Sequence, residues 1–190
     1  MSRRESADAW VRAAADPDPS VRRRAADLAP AFIPATDGRD EGAGKKAEGT
    51  GESEELDGGS RRNGVARTLL NLLADPETAV AEAAAWALGE FGERSVAVGA
   101  VDRLAAVVGT HQDPLVREAA VAALGSLGDP AGLDAVLAAC SDKPAIRRRA
   151  VLALAAFEGP AVDAALRAAL GDKDWQTRQA AEDLLGEAPS

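Results

Sequence analysis

The sequence predicts an all-α fold, an array of about five helical hairpins, and three observations carry that prediction. Alanine supplies 45 of the 190 residues, and alanine is the strongest helix former and a poor strand residue. Aromatic residues make up only 3%, with no tyrosine, which argues further against a sheet protein. Most decisively, one pattern of positions recurs five times. Aligned on Val21, Val80, Val116, Ile146 and Thr177, the chain shows alanine four positions on in every copy: Ala25, Ala84, Ala120, Ala150 and Ala181. Eight positions on stand Ala29, Leu88, Leu124, Leu154 and Leu185, and eleven on Phe32, Phe91, Leu127 and Phe157, with Ala188 in the last copy. These offsets fall on one stripe of a 3.6-residue helix, so each segment buries that face.

The elements follow in order. A first helix near Arg3–Ala15 contains Trp10, and the five aligned segments are the second helices of the hairpins. Asp18-Pro19, Asp75-Pro76, Asp113-Pro114 and Lys143-Pro144 precede four of them; proline suits a first helical turn, and aspartate beside it suits a cap. Gly89, Gly125 and Gly186 mark the helix ends, with Gly92, Gly128 and Gly159 where the chain turns. Between the aligned segments, Val65–Leu73, Val96–Val108, Leu133–Ala139 and Val162–Leu170 carry leucine or valine at helical spacing, as further first helices.

Anchor spacings are 36, 30 and 31 residues after Val80, but 59 between Val21 and Val80. The excess holds a different composition. From Asp37 to Ser60 there are seven glycines, eight acidic and three basic residues, with Leu56 as the only sizeable apolar side chain. Such a segment buries too little surface to offset its ordering entropy, so a disordered insertion is expected. The predicted organisation is a first repeat over 1–33, an acidic glycine-rich insertion over 34–62, and repeats two to five with a C-terminal cap over 63–190.

Composition also excludes. Twenty-two basic against 31 acidic residues give a net charge of −9, a sign that repels phosphate backbones and anionic lipid. Neither nucleic acid nor membrane is therefore expected as a partner. The single Cys140 forms no disulfide framework, and the single His111 forms no metal cluster. Met1–Trp10 carries four charged residues, so no apolar signal-peptide core is present there. The longest uncharged stretch, Ala119–Gly128, is far shorter than the roughly 20 residues of a membrane span. A soluble, cytoplasmic chain is expected.

The segments DPDPSVRRRAADLA, DPLVREAAVAALGSLGDPAG and KPAIRRRAVLALAAFEGPAV resemble the HEAT repeat in its short form, known from phycocyanobilin lyase subunits. The shared elements are an acidic residue and Pro, then Val-Arg, two alanines, Ala-Leu-Gly and Leu-Gly-Asp. The resemblance covers nearly everything except residues 34–62 and implies a right-handed α-solenoid. Tetratricopeptide repeats fit less well, since their spacing is longer and their tyrosine pattern is missing. In HEAT-like arrays a turn aspartate and the arginine after the valine form a ladder between repeats. That implies a ladder of Arg22, Arg117, Arg147 and Arg178 with Asp18, Asp113 and Asp174. Ala81 and Glu77 depart from it in repeat two, and repeat four has Lys143 at the acid position with Asp142 one residue earlier; the ladder is expected to be weakest around repeat two, beside the insertion.

Opposite the core stripe, offsets +2 and +6 point toward the concave side of a solenoid. The first row reads Arg23, Glu82, Glu118, Arg148, Gln179 and the second Asp27, Trp86, Ala122, Leu152, Asp183. Polar ends flank an apolar centre that a fully solvated face would not require. A tryptophan among charges is a candidate hot spot for a protein partner, unless Trp86 folds onto a neighbouring helix or lies under the insertion. Partner binding is assigned to Arg23, Glu82, Trp86, Glu118, Arg148 and Leu152. The runs Arg22–Arg24 and Arg147–Arg149 form no single cationic patch, because three consecutive helical residues spread over about 200°. One member of each fits the ladder, one the +2 face, and one the flank toward another helix.

Catalysis finds little support. His111 sits in a turn and Cys140 at a helix end some thirty residues on, so no nucleophile–base pair is apparent. The HEAT-like deoxyhypusine hydroxylases hold iron with His-Glu pairs; here His111-Gln112 stands once and no His-Glu occurs. HEAT-like DNA glycosylases use a basic concave surface, whereas this row is mixed in sign. The expected function is a non-enzymatic scaffold or adaptor without cofactor or metal, monomeric because Glu182 and Asp183 cap repeat five. A bilin lyase-type chaperone or subunit and a homodimerising structural protein are the alternatives.

Overall fold

The structure, a computed structural model, describes residues 3–32, 64–92, 95–96 and 98–186; the expected insertion over 34–62 lies outside them. Among the described residues there are ten α-helices and no strand. The first helices of the hairpins are α1 (Arg3–Ala14), α3 (64–72), α5 (Ala100–Thr110), α7 (Leu133–Ala139) and α9 (Pro160–Ala169). The second helices are α2 (Pro19–Leu28), α4 (Thr78–Glu90), α6 (Pro114–Leu127), α8 (Pro144–Ala153) and α10 (Trp175–Gly186). The second helices stack in chain order, α2 on α4, α4 on α6, α6 on α8 and α8 on α10. On one side of that row α1 packs on α2, α5 on α6, α7 on both α6 and α8, and α9 on α10. The result is the expected all-α solenoid.

The repeated columns are its core. Val80, Val116, Ile146 and Thr177 are all but fully buried, as are Ala25, Ala84, Ala120, Ala150 and Ala181, and then Ala29, Leu88, Leu124 and Leu154. Val21, Leu127 and Leu185 are half-buried members of the same stripe. Small residues set the spacing between second helices. A Cβ on Gly125 would lie 2.7 Å from Ala153 Cβ and 3.0 Å from its Cα. One on Gly89 would lie 3.0 Å from Ala123 Cα. At these places the helix backbones approach as closely as glycine and alanine allow. Trp10 ties the first hairpin together, its buried Nε1–H donating to Ala25 O at 2.7 Å.

The turns before the second helices carry the ladder, and its acids differ from those expected. Asp18 and Asp113 are helix caps: each accepts a hydrogen bond from the N–H two residues on, Ser20 and Leu115, at 2.8 Å. Asp174 caps likewise, accepting from both N and Oγ1 of Thr177 at 2.9 Å. A carboxylate turned onto its own helix end is not available to the neighbouring repeat. The rungs are instead Arg22–Asp75, Arg117–Asp142 and Arg147–Asp172, each with Nε and Nη2 on the two oxygens of one carboxylate, at 2.6–2.9 Å. Each arginine also donates Nη1 to carbonyls of its own turn: Arg22 to Asp16 and Pro17, Arg117 to His111 and Gln112, and Arg147 to Asp142. Each rung aspartate accepts a backbone N–H in its own turn, from Glu77, Lys143 and Asp174 in chain order. One guanidinium thereby fastens two successive turns, the use to which arginine's rigid fork of donors is suited.

The guanidinium hydrogen bonds hold the Asp75, Asp142 and Asp172 carboxyls below their ordinary range, against the opposing effect of burial. Arg178, in the last repeat, donates Nη1 to Asp172 O and Lys173 O in its own turn. At the joint between α4 and α6 the arginine position is Ala81 and the acid position is His111. His111 Nδ1 accepts the Asp113 N–H at 3.1 Å, as Asp16 accepts that of Asp18 in the first repeat. The turn is thus kept and the rung is missing. No helix among the described residues is long and apolar enough to cross a membrane.

Candidate protein-binding face

The side of the second-helix row that faces away from the first helices carries the sequence-predicted surface residues. Trp86 on α4 is 39% exposed and Leu152 on α8 is 43% exposed, while Ala122 on α6, between them in the row, is buried. Two large apolar side chains therefore flank a floor made low by an alanine. Glu82 and Arg148 are half-buried beside them. Arg23 stands apart at the α2 end, exposed and 3.9 Å from Asp27 one turn on. Arg148 donates to the Oε1 of Gln176, on α10.

Trp86 is neither free-standing nor packed away. The Arg149 guanidinium lies 5.4 Å from its ring centroid, a cation–π contact contributing about 0.5–2 kcal/mol. Because Arg149 belongs to α8 and Trp86 to α4, the pair bridges across α6. Glu118 of α6 joins them, its Oε1 3.5 Å from Arg149 Nη2, with the Glu118 side chain only 18% exposed. The helical offset of Arg149 predicts the flank toward another helix, and that flank is where it lies. The large surface feature it makes with Trp86 is not visible from periodicity within one helix. The neighbouring arginines go elsewhere, Arg147 to the ladder and Arg148 to Gln176.

The two candidates for catalysis are engaged in structure. His111 closes its own turn through Nδ1. Cys140 is a packing group: its Sγ–H donates weakly to Val136 O at 3.6 Å, and burial pushes the thiol pKa up to about 11, far from the range of a reactive thiolate.

Comparison with known proteins agrees with this geometry. Residues 66–145 match the family model of HEAT repeats, and residues 146–172 match that of the PBS lyase HEAT-like repeat. Among solved structures, an engineered protein is similar over 97% of this chain and 78% of its own, at 20% identity and a TM-score of 0.64. A designed armadillo repeat protein aligns over 93% of this chain and 97% of its own, at 13% identity and a TM-score of 0.46. No curated protein matches the chain. With its five-fold core stripe, its second-helix stack and both family matches, this chain belongs to the HEAT-repeat proteins of the PBS lyase HEAT-like type.

Proposed function

We propose that this chain is a non-enzymatic scaffold or adaptor that binds a protein partner across the exposed side of its second helices. One observation carries the reading: Trp86 and Leu152 are both more than a third exposed on that face, on either side of buried Ala122. Trp86 and Leu152 serve as apolar anchors, and Glu82, Glu118 and Arg148 orient the partner around them, with Arg23 at the margin. A central aromatic anchor with a polar rim is the usual make-up of a protein interface. The net charge of −9 disfavours nucleic acid and anionic membrane as partners. An acidic chain with one cysteine and no disulfide also fits a reducing, cytoplasmic setting.

The test is affinity capture from native lysate, wild type beside Trp86→Asp and Leu152→Asp, followed by titration of the captured protein in purified form. Loss of a hot spot weakens binding by about 2 kcal/mol or more, roughly thirtyfold, with helicity and melting temperature unchanged. Equal capture by all three proteins sinks the reading. Light scattering on the same samples detects the alternative occupant, a second copy of this chain. The match over residues 146–172 favours one second reading, a bilin lyase-type subunit. Titration with phycocyanobilin tests it, and a shifted visible absorption band would replace the scaffold reading.

A further inference from the structure

Arg149 is less well satisfied than the ladder arginines of the second helices. Arg22, Arg117 and Arg147 each grip a carboxylate with Nε and Nη2 together. Arg149 carries the same fork of donors, yet its acceptor among the described residues is a single oxygen of Glu118, 3.5 Å from Nη2. Its Nε is buried with no hydrogen-bond partner. The Trp86 ring attracts the cation but offers no pair of lone pairs to the fork. A buried, charged N–H without an acceptor is unfavourable, so the site is incomplete in the free protein. Its surroundings fit one kind of acceptor. Arg148 is adjacent and bonded to the neutral Gln176 side chain, and Arg149 has only the long contact to Glu118, so neither guanidinium has a close carboxylate among the described residues.

Resting on the binding face proposed above, we infer that Arg149 receives an acidic side chain of the protein partner as a two-point carboxylate beside the Trp86 ring. The partner segment carries Asp or Glu next to a large apolar residue. Its carboxylate takes the terminal Nη1 and Nη2 together, displacing the long contact to Glu118, and its apolar neighbour covers the exposed part of Trp86. Glu118 is the internal counter-ion that holds Arg149 over the ring until the partner arrives. Bidentate recognition of this kind is what distinguishes arginine from lysine.

The experiment selects short random peptides, displayed on phage, for retention by the wild-type protein and release by Trp86→Asp. The retained peptides are expected to be enriched in Asp or Glu adjacent to Leu, Phe or Trp. A synthetic copy of the leading peptide should bind Arg149→Met at least about tenfold more weakly. Arg149→Met keeps an apolar stem over Trp86, and Arg149→Lys should recover little of the loss because it lacks the fork. Retained peptides without acidic enrichment overturn this inference and leave the binding face standing. So does wild-type affinity in Arg149→Met. If no peptide distinguishes wild type from Trp86→Asp, the binding face fails and this inference with it.

Discussion

Replacing Gly125 with alanine adds one methyl group where α6 and α8 leave no room for it. The new Cβ would stand 2.7 Å from Ala153 Cβ and 3.0 Å from Ala153 Cα. The obstacle is a helix backbone rather than the end of a flexible side chain. Relief requires the two helices to separate by about 1 Å, which forfeits a quarter to a half of the dispersion energy of the contacts around it. Overpacking of this size costs about 1–3 kcal/mol. Against it stands the better helix propensity of alanine, about 1 kcal/mol. The expected net loss is up to about 2 kcal/mol, read as a fall of up to roughly 1 M in the urea midpoint for a slope near 2 kcal/mol/M. Gly109→Ala is the matched control. Gly109 lies within α5 with nothing within 4 Å of its added Cβ, so only the propensity gain applies and stability should rise by about 1 kcal/mol, a midpoint higher by roughly 0.5 M at the same slope. The two alanines should therefore move stability in opposite directions. A Gly125→Ala protein stabilised to the same extent as Gly109→Ala would refute the close approach of α6 and α8, and with it the spacing of the second-helix row.

Asp142→Asn keeps the shape of the rung acid and its turn hydrogen bond but leaves Arg117 facing an amide. With the two side chains only 14% and 21% exposed, the loss is expected at about 1–3 kcal/mol in urea melts at neutral pH, and Arg117→Met in the same chain should recover part of it. Hydrogen bonding to Arg117 holds the Asp142 carboxyl below its ordinary 3.8. Its contribution is therefore complete above that value in the folded–unfolded balance and is lost as pH falls below it through the lowered folded value. The wild type should lose stability steeply below about pH 4 and Asp142→Asn less so; parallel acid profiles would refute the rung. Asp113→Ala removes the cap of α6 and should cost about 1 kcal/mol, whereas full loss of the α6–α8 joint, seen as a separate unfolding step, would mean that Asp113 acts as a rung after all.

The architecture is legible in the sequence because a solenoid writes its core as columns. Offsets 0, 4, 8 and 11 repeat, and most of the described residues in them are buried, with Val21, Leu127 and Leu185 half-buried. The acids of the ladder are not legible, for a geometric reason. Two aspartates stand in several of these turns, Asp16 and Asp18 in one and Asp172 and Asp174 in another, and the nearer one is the cap. Each true rung joins residues 25 or 53 apart in sequence, so which acid faces the arginine depends on how one repeat sits on the next. Arg149 escapes for the same reason. Its partner Trp86 lies two second helices away, and the small Ala122 between them lets the two side chains meet. Periodicity within a helix describes which face a residue occupies, whereas contact across a neighbour depends on the size of what the neighbour puts in between.

Ladder and binding face meet at the joint between α4 and α6. This joint lacks the ionic rung that every other joint in the second-helix row possesses among the described residues, because Ala81 and His111 replace its two members at once. Either replacement alone would strand a half-buried charge, an arginine without its carboxylate or an aspartate without its guanidinium, and that is the costly state. Replacing both leaves neutral groups, and His111 still closes its turn through Nδ1. Cohesion at this joint therefore comes from the apolar stack, with Gly89 set against Ala123. On the opposite face the same joint is crossed by Trp86, Glu118 and Arg149. A group that binds there touches both sides of the one joint without a rung, so its contacts add to array stability where the ladder adds none. On the binding proposed above, a carboxylate held by Arg149 would couple this face to the gap in the ladder, tying α8 to α4 across α6 in place of the ion pair that the turns do not supply.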